Sequence, residues 1–290
     1  MGKPKIVCVV GPTASGKTAF AIKLAKDRNG EVVSCDSMQI YKYMNIGTAK
    51  PDIEEMDGIP HHMLDFVEPS EDFSVADFVK KAREVIDDIL SRGKLPVLCG
   101  GTGLYVDSII NQIEFGEEKR DDEYRNQLNI LAQTEGVEAV HNILREKDPK
   151  AAEEIHPNNL KRVIRALEII KTTGLSKAEA DEKAKGEPVY DAEIFGMKME
   201  RERLYERINR RVDIMLENGL LEEVQSLMKL NLPPECTAMQ AIGYKEFVMF
   251  FKGECSFEEA VENVKRESRR YAKRQMTWFK RNPNIKWIEV

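Results

Sequence analysis

The 290-residue sequence has no run of about 18 apolar residues, which excludes a transmembrane helix. The apolar run Ile6 to Val10 near the start is too short for a signal-peptide core, and no small-residue cleavage site follows it. A soluble, cytoplasmic protein is expected. None of the five cysteines (Cys8, Cys35, Cys99, Cys236, Cys255) forms a C-x-x-C pair, which argues against a thiol redox pair or a cysteine-held metal. Three of them lie in or beside apolar runs, where a reduced cysteine serves as a small hydrophobe. No internal repeat or low-complexity segment occurs, so a solenoid is excluded. What is present suits a globular chain: 42% apolar and 32% charged residues, enough for a sizeable core. The net charge of −6 argues against a polyanion partner, but its distribution does not. Lys265 to Arg281 holds eight basic residues and one acidic one, a local +7. Such a stretch on an acidic chain is a footprint for a polyanion.

Lys5 to Val10 is apolar from Ile6 onward and mostly β-branched, the pattern of a central parallel strand. Glu31 to Cys35 and Lys94 to Cys99 read as further strands, with Asp36 at the C-terminal end of the second. The spacing of Val75, Phe78, Val79, Ala82, Val85, Ile86 and Ile89 predicts a helix between Phe73 and Leu90. This alternation predicts an α/β fold: a parallel sheet flanked by helices. From Ile113 to Gly186 the chain is charged and helical in pattern, with Asn158 as an expected N-cap. It reads as a helical insertion, residues 113–186, into a core of residues 1–112 and 187–290. A strand returns at Glu193 to Met199, and a last one is expected at Ile285 to Val290.

Gly11-Pro12-Thr13-Ala14-Ser15-Gly16-Lys17-Thr18 matches G-x-x-x-x-G-K-[ST] between a strand and a helix. Its glycines let backbone N–H groups converge on one anion, and the helix N-terminus adds a positive dipole end. Lys17 supplies a cation, and the Thr18 hydroxyl is placed to touch Mg²⁺ on a bound phosphate. The loop alone does not separate kinases, NTPases and transferases that hold a diphosphate. Asp36 reads as a metal-side acid, a general base for an acceptor, or a turn residue. Gly100-Gly101-Thr102-Gly103 marks either a close backbone approach or a tight turn. His61 and His62 lack a third ligand, so a structural role is expected.

Several segments together resemble one family. Beside the phosphate loop stand Asp36-Ser37-Met38-Gln39-Ile40-Tyr41 and Ile46-Gly47-Thr48-Ala49-Lys50-Pro51. His61-His62-Met63-Leu64-Asp65, Gly100-Gly101-Thr102-Gly103-Leu104-Tyr105, Ile155-His156-Pro157-Asn158 and Ala272-Lys273-Arg274-Gln275-Met276-Thr277-Trp278 follow in order. In this order and over nearly the whole chain they resemble the tRNA dimethylallyltransferases. The resemblance implies transfer of a dimethylallyl group from dimethylallyl diphosphate to the N6 amine of the adenosine immediately 3′ of the anticodon in tRNA. Diphosphate is released, and a monomeric enzyme using Mg²⁺ is implied. Gly11 to Thr18 would grip the donor's diphosphate, Thr13 would organise the donor site, and Asp36 matches the catalytic base.

Arg211 matches the family's diphosphate arginine, with Arg207 and Arg210 as near competitors. Asp36, Ser37, Met38 and Gln39 match positions at the target nucleotide, where an amide such as Gln39 could read the edge of a flipped base. Thr102 and Arg125 resemble positions near the tRNA. In the segment Leu160, Lys161, Arg162, Val163 and Ile164, the cluster Lys161, Arg162 and Arg165 is either an RNA contact or a solvated helix face. Arg269, Arg270 and Arg274 are expected on RNA, interleaved with Tyr271, Trp278 and Phe279, of which Trp278 is expected to pack inside. Two alternatives remain: a P-loop nucleoside or nucleotide kinase, and a non-catalytic RNA-binding protein.

Overall fold

The computed structural model describes residues 2–111, 113, 121–184, 186–233 and 236–290. The chain divides into two compact units, Met1–Ile110 with Pro188–Val290, and Asn111–Glu187.

The first unit begins with β1 (Lys5–Val10), α1 (Lys17–Asp27), β2 (Gly30–Ser34), α2 (Ile53–Met56), β3 (His61–His62), α3 (Val75–Ser91), β4 (Leu95–Gly100) and α4 (Gly103–Ile110). The second unit holds α5 (Asp122–Thr134), α6 (Val137–Lys147), α7 (Pro149–Glu154), α8 (Leu160–Thr173) and α9 (Lys177–Ala184). The chain then returns to the first unit as β5 (Asp191–Lys198), α10 (Arg201–Glu217), α11 (Leu220–Met228), α12 (Tyr244–Phe251), α13 (Phe257–Phe279) and β6 (Lys286–Glu289).

The six strands form one parallel sheet in the order β3-β2-β4-β1-β5-β6. β1, β2 and β4 are buried over nearly their whole length, so β1 and β4 show apolar runs rather than an alternation, while β2 buries Glu31 against Arg92, Lys94 and His62. Register puts Val9 beside Cys99 and Ser34 beside Cys99, so three strand ends line up on one edge. Cys8, Cys35 and Cys99 are buried at that edge. α3 starts in a capping box, Ser74 with Asp77, and turns Phe78, Val79, Ala82, Ile86 and Ile89 inward.

Two sequence expectations change. β2 ends at Ser34, so Asp36 stands two residues beyond the strand, although the Cys35 N–H still donates to the Cys99 carbonyl at 2.8 Å. The two-residue strand β3 pairs with Val32 and Val33; two histidines carry no apolar periodicity that would announce it.

The helical unit has its own core of Leu128, Val140, Leu144, Val163, Ile164 and Leu167. The buried Glu168 accepts from Arg125 at 2.6 and 2.7 Å, from Arg165 at 2.5 Å and from the Asp121 N–H at 3.0 Å. Burial alone would raise its pKa, but these donors outweigh it and hold the carboxyl at about 2. The expected cap shifts by one residue. Asn159, not Asn158, precedes α8, and the Asn158 N–H instead donates to His156 Nδ1.

Candidate active site

The phosphate loop leaves the sheet between β1 and α1 at a point where only glycine fits. Gly11 has φ +143, and a Cβ there would lie 2.8 Å from the Met197 carbonyl of the neighbouring strand. Ala14 and Gly16 also adopt positive φ, so the loop is held in a conformation that its surroundings must enforce. The Ser15 hydroxyl and the Lys17 ammonium both donate to the Pro12 carbonyl, at 2.8 and 2.6 Å. Thr18 stands exposed at the start of α1. Burial lowers the pKa of Lys17 to about 8, with Arg211 adding repulsion and Asp36 opposing it.

Two arginines one turn apart on α10 reach this loop. Arg207 Nε donates to the Ala14 carbonyl at 2.9 Å, and Arg211 Nη1 to Thr13 Oγ1 at 3.3 Å. Arg210 is exposed. The side chains that seat α10 here are Leu204 and Ile208, packed with Ala272 of α13 and with Ala14. Burial lowers the Arg211 pKa against the pull of Asp36, so a positive charge sits where water is scarce.

Asp36 lies in the turn after β2. Its Oδ1 accepts from the Met38 N–H at 2.8 Å and the Gln39 N–H at 3.3 Å, which fixes the carboxylate. The glycine-rich turn after β4 comes alongside. A Cβ on Gly100 would lie 2.1 Å from the Cys35 carbonyl, and one on Gly103 would lie 2.2 Å from the Trp278 ring. Close approach of backbone, rather than turn geometry alone, accounts for these glycines. Thr102 Oγ1 accepts from the Ser37 N–H at 3.2 Å and so ties the two turns together.

Two adjoining cavities open here. The first holds about 630 Å³ of empty space and is lined by Thr13, Lys17, Thr18, Asp36, Gln39, Gly101 and Arg211, with Val32, Pro51, Leu64 and Cys99 as an apolar wall. The second, about 1170 Å³, is lined by Ser37, Met38, Ile208, Met215, Lys245, Ser268 and Arg274 among others. Thr13, Asp36, Thr48, Ala49, Arg211 and Tyr271 border both. The carboxylate and the half-buried arginine therefore stand at the junction.

Residues 39–282 match the model of the family described as IPP transferase, and residues 4–70 match that of isopentenyl transferase. The tRNA dimethylallyltransferase of Acetivibrio thermocellus is 52% identical over 284 residues, covering 98% of this chain and 91% of that protein. The crystal structure of the full-length tRNA isopentenylpyrophosphate transferase of Bacillus halodurans is 50% identical, with a TM-score of 0.74, covering 99% of this chain and 90% of that one. A eukaryotic dimethylallyltransferase captured acting on tRNA is 32% identical, with a TM-score of 0.83, covering 99% of this chain and 74% of that one. The chain belongs to the IPP transferase family.

For this family member, the structure brings Thr13, Lys17, Thr18, Asp36, Ser37, Met38, Gln39, Thr102, Arg211 and Arg274 to one edge of the sheet. It also revises several roles. Both ends of the Gln39 amide are engaged within the protein: Oε1 accepts from Ser34 Oγ at 2.9 Å, and Nε2 donates to the Thr48 and Ala49 carbonyls at 3.3 and 3.0 Å. Gln39 braces the cavity wall rather than presenting a spare amide. Val163 and Ile164 are buried in the helical unit, so their side chains belong to its core, whereas Lys161, Arg162 and Arg165 are exposed. Arg125 is committed to Glu168.

On α13, Phe279 is buried and unavailable for stacking, while Trp278 donates from Nε1 to Asp107 at 2.7 Å. Arg269 and Arg270 already face the carboxylates of Glu262 and Glu267. Three residues at the site escaped sequence reasoning in these roles: Lys245, Gln275, and Tyr271 as a wall of both cavities. Each is an ordinary residue in a helical segment more than 200 positions from the phosphate loop, and no local pattern marks it.

Proposed function

We propose that this chain transfers a dimethylallyl group from dimethylallyl diphosphate to the exocyclic N6 amine of the tRNA adenosine 3′ of the anticodon, releasing diphosphate. The observation that carries this reading is the pair of cavities meeting at Asp36 and Arg211. Here the phosphate side has a compact apolar wall of Val32, Leu64 and Cys99, suited to a five-carbon prenyl chain. The second, wider cavity carries Lys245 and Arg274 and suits a flipped nucleotide with its phosphates.

The roles follow from chemistry. The N6 lone pair is delocalised into the adenine ring, so the amine needs its proton taken as the new C–N bond forms. Asp36, held by two backbone N–H groups at the junction, accepts that proton. The C–O bond to diphosphate breaks at the same carbon, and negative charge grows on the leaving oxygens. The loop N–H groups, Lys17 and Arg211 stabilise it. Thr13 carries Arg211 on its hydroxyl and so sets the arginine against the loop. Thr18 and Asp36 offer a hydroxyl and a carboxylate to the same cavity, a donor set that fits a hard cation. When bound, Mg²⁺ would be held by Thr18 and the diphosphate oxygens and would offset their charge.

The RNA partner in this reading is the anticodon stem-loop, met by Arg274 on the second cavity. The enzyme works as a monomer in the cytoplasm. Among the described residues no helix is long and apolar enough to cross a membrane.

The test is direct. The protein is incubated with unmodified tRNA, Mg²⁺ and dimethylallyl diphosphate without ATP, and nuclease digests are examined by mass spectrometry for prenylated adenosine. Product is expected from the wild type and none from Asp36→Asn, which keeps the shape but loses the base. Absence of product from the wild type, together with ATP turnover on a nucleoside, would sink the proposal. An active Asp36→Asn variant would remove Asp36 as the base.

A further inference from the structure

We infer that Gln275 is a positioning residue for the phosphate loop, fixing the Pro12–Thr13 peptide plane from α13 and thereby setting the loop's grip on diphosphate. The inference rests on the reading of that loop as a diphosphate holder.

Gln275 is a polar side chain only 5% exposed, and both ends of its amide are used. Oε1 accepts the Thr13 N–H at 2.8 Å, and Nε2 donates to the Gly101 carbonyl at 3.1 Å. One side chain therefore joins the phosphate loop to the glycine-rich turn, across 262 residues of sequence in the first case. Gly101 is needed for this, since a Cβ there would lie 2.0 Å from Gln275 Nε2.

The peptide that Gln275 grips also carries the Pro12 carbonyl, which receives Ser15 and Lys17. Pinning its N–H fixes the direction of its C=O, and with it the place of the Lys17 ammonium. The next residue of the loop, Ala14, sits at φ +61, a conformation that relaxes unless its neighbours hold it. A buried amide with both ends paired does that, because rotating either loop would strand a donor or an acceptor out of water. On the same helix, Tyr271 borders both cavities and Arg274 lines the second.

The test separates loop positioning from packing. Inorganic pyrophosphate with Mg²⁺ is titrated into the wild type, Gln275→Leu and Gln275→Glu by calorimetry. KM values for dimethylallyl diphosphate and for an anticodon stem-loop RNA are measured separately. Losing the Thr13 bond should weaken pyrophosphate binding roughly tenfold in the leucine variant. The glutamate variant, which adds a negative charge near the anion, should be weaker still. KM for the prenyl donor should rise in parallel while KM for the RNA stays within about twofold. Gln275→Met, closer in shape, carries the same comparison if the leucine variant does not fold.

Pyrophosphate affinity unchanged in both variants would overturn the inference. So would donor and RNA KM values rising together with a fall in melting temperature, which is the mark of a packing role. If the wild type binds pyrophosphate but transfers nothing to RNA, the proposed transfer fails and the calorimetric arm alone decides Gln275. A wild type that binds no pyrophosphate overturns both.

Discussion

Lys17 offers the sharpest view of the site's electrostatics through pH. Its ammonium is drawn into the loop by the Pro12 carbonyl at 2.6 Å, and burial lowers its pKa to about 8. The neighbouring groups titrate elsewhere: burial puts Cys99 at about 11, and burial with Asp36 puts Tyr271 at about 12. Arg211 falls below its ordinary value, but from a very high start.

The free protein's affinity for a diphosphate should then follow Lys17. The charged form binds and the neutral form does not, so affinity is full well below pH 8 and lost as pH rises through it. For a single group of pKa about 8, roughly nine-tenths is charged at pH 7 and roughly one-tenth at pH 9. The kcat/KM for dimethylallyl diphosphate should therefore fall about tenfold over that interval, with a limiting slope near −1. The assay is initial-rate transfer at saturating RNA across about pH 6.5 to 10. Lys17→Arg, which stays charged throughout, should lose activity overall but flatten that limb. A profile flat to pH 9.5, or a limb of the same position in Lys17→Arg, would refute the assignment.

Two other outcomes follow from particular contacts. Arg274→Glu should weaken stem-loop RNA binding and lower the salt slope by about one, since one phosphate-contacting cation is lost. Arg270→Glu should do far less because Arg270 already faces Glu267 at 2.7 Å; filter binding at several salt concentrations checks the order, and equal effects would count against it. Glu168 holds a carboxyl at about 2 through Arg125 and Arg165, so its contribution to the helical unit is present above its unfolded value of about 4.5 and is lost as pH falls towards 2. Glu168→Ala should cost about 3 kcal/mol at pH 7 and remove that acid limb, read by urea titration at pH 7 and pH 3.

How much of this was legible depended on whether the cause was local. β1 and β4 are buried on both faces, and that burial writes itself as apolar runs; β2 shows it only at Val32 and Val33, because its Glu31 is buried through ion pairs. The phosphate loop was legible because close approach to an anion dictates glycine, lysine and a hydroxyl residue at fixed spacing. β3 is only His61–His62, set by pairing with Val32 and Val33 rather than by its own composition. Arg207 and Arg211 could not be ranked from spacing, because positions four apart share a helix face; both in fact reach the loop, one to Ala14 and one to Thr13. Gln275 stood in the Ala272–Trp278 motif, but its role was not legible, because its partners Thr13 and Gly101 lie far away in the chain.

The basic stretch on α13 shows the same divide between charge and geometry. Counted along the sequence, its cations look equivalent. In the structure Lys265 faces Asp213, Arg269 faces Glu262 and Asn209, and Arg270 faces Glu267. Such pairs at or near the surface are worth little to stability, but each partly neutralises a cation. Arg274 is placed differently: it lies over the Tyr271 ring, 5.6 Å from its centroid, and lines the second cavity. One turn of helix thus carries a wall of both cavities in Tyr271, a cation aimed at the acceptor side in Arg274, and the clamp on the donor loop in Gln275. In the proposed reading this face of the helix meets the RNA, and these three neighbours are the groups that link the RNA side to the donor loop.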